Sequence, residues 1–199
     1  MCIRDRLREQ RRRELLEVAL AVFSARGYHQ TRISDIIEAA GVARGTFYLY
    51  FSSKHAIFEA LLDDVLARIR GSVIGVEMGP EAPALRDQVH ATLVRLLSVV
   101  REAPALSRLV LREAVGLDAE IDLKLAAFYQ ELHRWLAESL SNGQALGLLG
   151  PFDAAMVSWC IVGSVERCLR LLLEGGDALS IDAMADALLD SHLVGLLPR

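Results

Sequence analysis

The stretch from Gly41 to Lys54, GVARGTFYLYFSSK, combines groups that bind polyanions with groups that usually form a protein core. It holds two phenylalanines, two tyrosines, an arginine, a lysine and three small hydroxyl residues. Hydroxyls, the lysine ammonium and helix N-termini donate hydrogen bonds that suit phosphate oxygens. An arginine can also make two hydrogen bonds to the edge of a guanine. Chemistry of this kind requires an element that presents the polar groups on one face and buries the phenylalanines on the other.

A short helix over about residues 43–50 would meet that requirement. The two phenylalanines are four residues apart and therefore share one face of such a helix. The opposite face carries Arg44, Gly45 and Tyr48. Because Gly45 has no side chain, the helix can lie close against another surface there.

Two helices are predicted before this one and a long helix after it. Apolar residues recur at helical spacing over 16–23 and over 33–40. We predict Thr31 as the N-cap of the second helix and a serine at 52 or 53 as the cap of the long one. Short helices joined by a glycine turn, here AAGVA, and supported by a third helix are typical of a helix-turn-helix.

The remainder of the chain is predicted to form more helices, and no strand pattern appears. These helices are expected over about 84–102, 105–115, 119–142, 152–174 and 180–196. The predicted fold class is all-α, with an N-terminal three-helix helix-turn-helix head over residues 7–53 and a larger C-terminal helical body over residues 54–199. We interpret the first six residues, MCIRDR, as the translation of a sequencing adapter and exclude them from the fold prediction.

Charge is distributed unevenly along the chain. Residues 1–54 carry a net charge of +4 and residues 55–199 a net charge of −8. A basic head on an acidic body indicates that the head alone contacts a polyanion. The apolar stretch Ala154–Val165 is well short of the roughly 20 residues that cross a bilayer, so we expect no membrane partner and a cytoplasmic protein. Cys160 and Cys168 are predicted to be buried free thiols.

Residues 31–54, TRISDIIEAAGVARGTFYLYFSSK, resemble the DNA-binding segment of the TetR-type one-component transcriptional regulators. The shared pattern is a threonine, an isoleucine-bearing helix, AAGV, a small residue, GT, YxYF and SK. With the preceding LLEVALAVFSARGY the resemblance covers about residues 11–66. Two positions depart from the pattern. Ala43 stands where the family often has serine, so a helix cap worth about 1 kcal/mol is missing, and Arg32 stands where many members have a second threonine.

The resemblance implies a role for each matched position. Thr31, Tyr48, Tyr50 and Lys54 resemble residues that contact phosphates, Arg44 and Thr46 resemble residues that reach base edges, and Leu49 is placed to touch a thymine methyl group. The full predicted DNA-binding set is Thr31, Arg32, Ser34, Ala43, Arg44, Gly45, Thr46, Tyr48, Leu49, Tyr50 and Lys54.

The resemblance also implies that the helical body is a ligand-binding and dimerisation domain. We predict a largely apolar small-molecule inducer, a fatty-acyl or aromatic compound, that releases the protein from a double-stranded DNA operator. The predicted ligand-binding residues are Leu93, Leu97, Phe128, Leu132, Trp135, Trp159 and Glu166. A homodimer is predicted through the helices over 152–174 and 180–196, with Gly163 and Ser164 allowing close packing. Leu169, Leu171, Leu172, Leu188 and Leu189 are predicted to supply its apolar area, unless they close the core of the monomer.

No catalytic signature is recognisable in the sequence, so we expect no enzyme, no cofactor and no metal site. The predicted function is a ligand-responsive, sequence-specific DNA-binding transcriptional regulator, most simply a repressor. The alternative is a helical lipid-carrying or protein-interaction module with a vestigial helix-turn-helix. The charge asymmetry and the intact GTFYLYFSSK favour DNA binding.

Overall fold

The computed structural model describes residues 3–175 and 178–196, and every regular element within those ranges is a helix. The helices are α1 (Ile3–Arg26), α2 (Ile33–Ala40), α3 (Arg44–Tyr48), α4 (Lys54–Ser72), α5 (Leu85–Glu102), α6 (Pro104–Glu113), α7 (Ala119–Ala145), α8 (Ala154–Gly175) and α9 (Ile181–Leu196). The all-α prediction is confirmed.

The chain forms two compact units. The first contains the residues up to Ala67 together with Ala105–Asp122, and the second contains Arg68–Pro104 and the residues from Leu123 onward. Helices α4 and α7 therefore each contribute residues to both units. The predicted functional division into 7–53 and 54–199 is drawn elsewhere and remains a prediction about function.

The first unit is built around an aromatic cluster. Phe23, Tyr28 and Phe58 pack with ring centroids 4.9 to 6.0 Å apart, at spacings typical of stabilising aromatic pairs. Phe47 and Phe51 are buried as well, so the structure confirms that the two phenylalanines of the GVARGTFYLYFSSK stretch are core residues.

The second unit has its own apolar core, in which α5 packs against α8 and α9. Four of the leucines proposed for a dimer contact belong to this core, because Leu169, Leu172, Leu188 and Leu189 are all buried within the unit. The prediction that they supply intersubunit area is therefore wrong, and they close the monomer. The prediction that Cys160 is buried is also wrong, since its side chain is exposed on α8.

Helix α7 extends three residues beyond its predicted end, through a segment whose composition predicted a break. The carbonyl of Gly143 accepts hydrogen bonds from the backbone N–H groups of Leu148 and Leu149, at 2.9 and 3.2 Å. A Cβ atom at Gly143 would lie 2.8 Å from the Leu149 side chain. The glycine thus lets the following turn fold back onto the helix, and the reversal comes at Gly147, whose φ is 71°.

Within the described residues, none of the helices combines the length and the apolar composition needed to cross a bilayer.

Candidate nucleic-acid interface

A tight turn between α2 and α3 sets the angle between these two helices. Gly41 has φ 62° and ψ 32°, and its N–H donates to the carbonyl of Glu38 at 3.1 Å. The next N–H, that of Val42, donates to Ile37 at 3.3 Å. A side chain at Gly41 would strain this left-handed conformation, so the glycine is required by the geometry of the turn.

Helix α3 holds the head together with one face and exposes the other. Phe47 anchors it in the core, whereas Arg44, Gly45 and Leu49 are exposed and Tyr48 has 41% of its surface accessible. The N-cap, Ala43, makes no side-chain cap hydrogen bond, as the sequence predicted. The Thr46 N–H donates to the Ala43 carbonyl at 2.9 Å, whereas the N–H groups of Arg44 and Gly45 have no side-chain acceptor at the N-cap and can donate elsewhere.

The exposed face of α3 carries a guanidinium group that forms no ion pair within the described residues. Arg44 has its Cζ atom 5.8 Å from the centre of the Tyr48 ring, which is a cation–π distance. No acid pairs with Arg44 among the residues that the structure describes. Thr46 and Tyr50 flank this face and are half-buried. The face thus offers one cation and three hydroxyl groups to a partner outside the molecule.

The start of α2 is the second exposed part of this surface, where Arg32 and Ser34 are accessible to solvent. Arg32, not Thr31, is the N-cap of α2, and its backbone N–H donates to the Asp35 carboxylate at 2.8 Å. That hydrogen bond, with Arg26 at 3.2 Å, holds the pKa of Asp35 below its usual range. The predicted N-cap at Thr31 is therefore wrong by one residue.

Thr31 and Lys54 are occupied within the first unit. The Thr31 side chain is buried, and its hydroxyl donates to the carbonyl of Gly27 at 2.8 Å. The Lys54 ammonium donates to the carbonyls of Tyr28 and Thr31 at 2.8 and 2.9 Å and lies 4.2 Å from the centre of the Tyr28 ring. Burial lowers the pKa of Lys54, so the two carbonyls offset part of a desolvation cost.

This geometry gives Thr31 and Lys54 a structural role in the free protein, and their phosphate contacts remain predictions. Both side chains fasten the turn between α1 and α2 to the start of α4. A phosphate contact by Lys54 would require its release from two carbonyls, and one by the Thr31 hydroxyl would require exposure of a buried group.

Helix α6 and the turn after it supply contacts to the head that sequence reasoning missed. Glu113 accepts a hydrogen bond from the backbone N–H of Tyr28 at 2.9 Å. The Nε2 atom of His55 lies 3.1 Å from the Asp118 carboxylate. Backbone N–H donors, that of Ile121 foremost, and His55 hold the pKa of Asp118 below its usual range. No local signal marks these pairs, because they join residues more than 60 positions apart.

The residues predicted to bind a ligand lie in the second unit with very different exposures. Leu97 and Phe128 are buried, Leu93, Leu132 and Glu166 are half-buried, and Trp135 and Trp159 are exposed. The two indoles therefore lie on the surface of the unit in this structure. Their assignment to a ligand site remains a prediction.

Two polar clusters lie near these residues. The Glu166 carboxylate binds Arg170 at 2.9 Å and also interacts with the Tyr129 hydroxyl; burial, then Glu166, raises the pKa of Tyr129 to about 12. On α7, His133 is buried beneath Trp159, with ring centres 3.3 Å apart, and its Nδ1 atom lies 3.4 Å from the Ser158 hydroxyl. Burial lowers the pKa of His133.

Known proteins resemble this chain both locally and over most of its length. A family model described as "Bacterial regulatory proteins, tetR family" matches residues 15–61, which run from α1 into α4. An uncharacterized HTH-type transcriptional regulator of Bacillus subtilis, YdgC, is 30% identical over 193 residues, with 94% of this chain and 93% of the relative covered.

Solved structures show the same fold. A TetR-family regulator from Syntrophomonas wolfei superposes with a TM-score of 0.73 at 25% identity, covering 94% of this chain and 95% of that one. The regulator FadR of Bacillus subtilis, crystallised with stearoyl-CoA, superposes with a TM-score of 0.69 at 20% identity, covering 92% and 97%.

Proposed function

Since the chain belongs to the TetR family of bacterial transcriptional regulators, we propose that it is a ligand-responsive repressor that binds a DNA operator as a homodimer. In this proposal α3 enters the major groove and a small molecule bound by the second unit lowers the affinity for DNA. The observation that carries the proposal is the exposed face of α3, where Arg44 has no acid partner within the described residues.

The proposed DNA contacts divide into base reading and phosphate binding. Arg44 and Thr46 are proposed to reach base edges, and a bidentate arginine contact is worth about 1–3 kcal/mol of discrimination. Leu49, with 73% of its surface exposed, is proposed to touch a thymine methyl group. Tyr48 and Tyr50 are proposed to donate to phosphates. Arg32 and Ser34 at the start of α2 extend the phosphate contact, and Ala43 and Gly45 permit close approach of the backbone.

The proposed inducer is a largely apolar compound, because aliphatic and aromatic side chains dominate the candidate ligand residues. The FadR structure contains stearoyl-CoA, and that compound is a suitable first probe for this chain. Leu93, Leu97, Phe128 and Leu132 would contact its acyl chain, with Trp135 and Trp159 at the surface and Glu166 as a polar group. Binding should lower DNA affinity about 5–150-fold, the usual range of coupling between two sites.

The proposed dimer contact is an exposed face of α8. Met156, Trp159, Cys160, Gly163 and Arg167 recur at helical spacing and are all exposed. The exposed apolar side chains Met156 and Trp159 in this stripe support an interaction site here. Gly163 would allow close approach of the same helix from a second copy, since within the described residues no atom beyond the neighbouring backbone of α8 lies within 4 Å of a Cβ placed there.

The test of the proposal is fluorescence anisotropy with a duplex from the region flanking its own gene and a random duplex of equal length. We expect Arg44→Ala to lower affinity for the gene-flanking duplex by about 5–150-fold, the equivalent of 1–3 kcal/mol, with a smaller loss on random DNA. The control Arg112→Ala removes an exposed cation from α6 and should change neither.

Two results would reject this assignment. Equal losses on both duplexes for Arg44→Ala would show that this residue does not read bases. A wild-type protein that binds neither duplex at low salt would favour the alternative, a helical lipid-carrying or protein-interaction module.

A further inference from the structure

A groove lies on the first unit between α1 and the C-terminal end of α3. It consists of two adjoining hollows of about 300 and 690 Å³, both lined by Arg8, Leu49 and Tyr50. Arg12, one helical turn after Arg8, lines the smaller hollow and has its Cζ atom 5.4 Å from the centre of the Phe51 ring. The groove is thus continuous with the face of α3 that is proposed to contact DNA.

The four arginines of α1 between positions 8 and 13 fall into two classes. Arg11 binds Glu14 at 2.7 Å and Arg13 binds Glu9 at 3.4 Å, each within the helix. By contrast, no acid pairs with Arg8 or Arg12 among the residues that the structure describes. Four arginines within six positions therefore differ in whether their charge is already compensated.

Acidic side chains also reach the groove. Asp5 and Glu9 line the smaller hollow, and Glu14 lines the larger one. Glu9 binds Arg13, and Glu14 binds Arg11, which also lines the larger hollow. Arg8 and Arg12, which have no acidic partner within the described residues, thus remain available on the side that adjoins Tyr50.

We propose that Arg8 and Arg12 bind phosphates of the duplex next to the bases that α3 reads. This inference rests on the proposed function, because it takes α3 as the element that enters the major groove. Guanidinium groups bind phosphate oxygens bidentately, and phosphate contacts of this kind fix the register of a protein on DNA without reading sequence. The Tyr50 hydroxyl beside them would donate to the same strand.

Salt dependence distinguishes a phosphate contact from a general effect of charge. Each phosphate neutralised contributes about 0.9 to the slope of log affinity against log salt concentration. The double variant Arg8→Gln/Arg12→Gln should therefore flatten the slope by about 1.8 for each protomer bound. Between 50 and 200 mM salt, the affinity advantage of the wild type should shrink about 12-fold for each protomer bound, or about 150-fold for the proposed homodimer. Glutamine retains part of the side-chain stem, so the packing of Arg12 on Phe51 is largely preserved.

The matched control is Arg11→Gln/Arg13→Gln, which removes the same charge from the same helix. It should leave the slope within a few tenths of the wild-type value. Both pairs would be measured by anisotropy on the gene-flanking duplex and on a random duplex, with circular dichroism to verify the helical content. The single variant Arg8→Gln, at an exposed position, gives an independent reading with an expected change of about 0.9 for each protomer bound.

Equal flattening on both duplexes would support the inference, because phosphates carry no sequence information. An unchanged slope in a folded double variant would overturn it, as would an equal change in the control pair or a loss confined to one duplex. If the wild type bound DNA normally while the slope stayed unchanged, only this contact would be rejected. If the wild type bound neither duplex, the proposed function and this contact would both be rejected.

Discussion

The Lys54 ammonium binds two backbone carbonyls within the first unit, and this contact predicts a role in stability. Lys54→Met keeps the length of the side chain and removes the ammonium donor from both carbonyls, so that the Tyr28 carbonyl keeps only the longer bond from the Thr31 N–H, at 3.3 Å. Because hydrogen bonds to charged groups contribute about 1.5–3 kcal/mol, we expect the free energy of unfolding in urea to fall by about 2 kcal/mol.

The control for Lys54 is Arg108→Met, which removes an exposed cation from α6 and should change stability by less than about 0.5 kcal/mol. A Lys54→Met protein of unchanged stability, with a flatter salt dependence of DNA binding, would contradict the structural role. That result would instead support the predicted contact of Lys54 with a DNA phosphate.

The buried imidazole of His133 predicts a pH dependence of stability. Burial lowers its pKa in the folded protein relative to the ordinary value of 6.5, so the unfolded state binds the proton more readily. Its contribution to stability is therefore fully present above about pH 6.5 and is lost as pH falls through the folded pKa. Urea unfolding at pH 7.5 and 5.5 should show a smaller loss of stability in His133→Phe, which keeps an aromatic ring against Trp159, than in the wild type.

Burial also lowers the pKa of His192, and that contribution has the same sign. Since it is common to the wild type and to His133→Phe, it cancels in the comparison. An equal loss of stability in the two proteins between the two pH values would show that His133 does not titrate differently on folding.

For individual residues, the sequence predicts which side chains are buried better than it predicts which hydrogen bonds they form. The spacing of Phe47 and Phe51 correctly indicated two core residues, because periodicity reports which face of a helix is apolar. For Thr31 and Lys54, the resemblance to TetR-type regulators predicted phosphate contacts and gave no sign of their hydrogen bonds within the protein. Their partners are carbonyl groups, and for Lys54 these lie 23 and 26 residues away. Every residue carries a carbonyl, so no residue type in the sequence marks such a contact.

Helix α6 stabilises the turn between α1 and α2 through one carboxylate, and this contact can be tested. Glu113→Ala removes the acceptor of the Tyr28 N–H group. We expect about 1–2 kcal/mol of destabilisation and faster hydrogen exchange at the Tyr28 amide, measured by NMR. Glu113→Gln retains an acceptor oxygen and should restore most of the protection.

Glu17→Ala, at an exposed position on α1, is the matched control for Glu113→Ala and should leave exchange at Tyr28 unchanged. Unaltered exchange in Glu113→Ala would contradict a positioning role for this carboxylate.

The ends of the helices were predictable where a glycine follows the helix or a serine caps its start. Gly27 and Gly41 end α1 and α2 as expected, and Ser53 caps α4 by accepting from the N–H of Ala56 at 3.0 Å. Which unit a helix joins was not predictable. The apolar stripe of α6 indicated a buried face, but its position after α5 suggested the body, whereas it packs with the first unit.

The proposed homodimer is tested most cleanly at Gly163, because this position has space for a side chain in the monomer. Gly163→Glu should raise helix propensity while placing a charge in the proposed contact of α8. We expect the wild type to have the mass of a dimer by light scattering at micromolar concentration and the variant to have the mass of a monomer.

Gly71→Glu is the corresponding control, since Gly71 is exposed on α4 and a Cβ placed there would also meet no described atom within 4 Å beyond the neighbouring backbone of α4. It should remain dimeric. A wild-type monomer would reject the proposed homodimer. A Gly163→Glu dimer of wild-type affinity would show that the contact does not lie at this face of α8.

Sequence-specific recognition of duplex DNA by α3 is the central claim, and selection from a random duplex library tests it for any operator sequence. A dimer presenting two copies of α3 should enrich an inverted repeat whose half-sites are spaced by about one helical turn or a multiple of it. The selected sequence should bind at least about 1,000-fold more tightly than random DNA. Enrichment of no common sequence, from a folded protein at low salt, would contradict the claim.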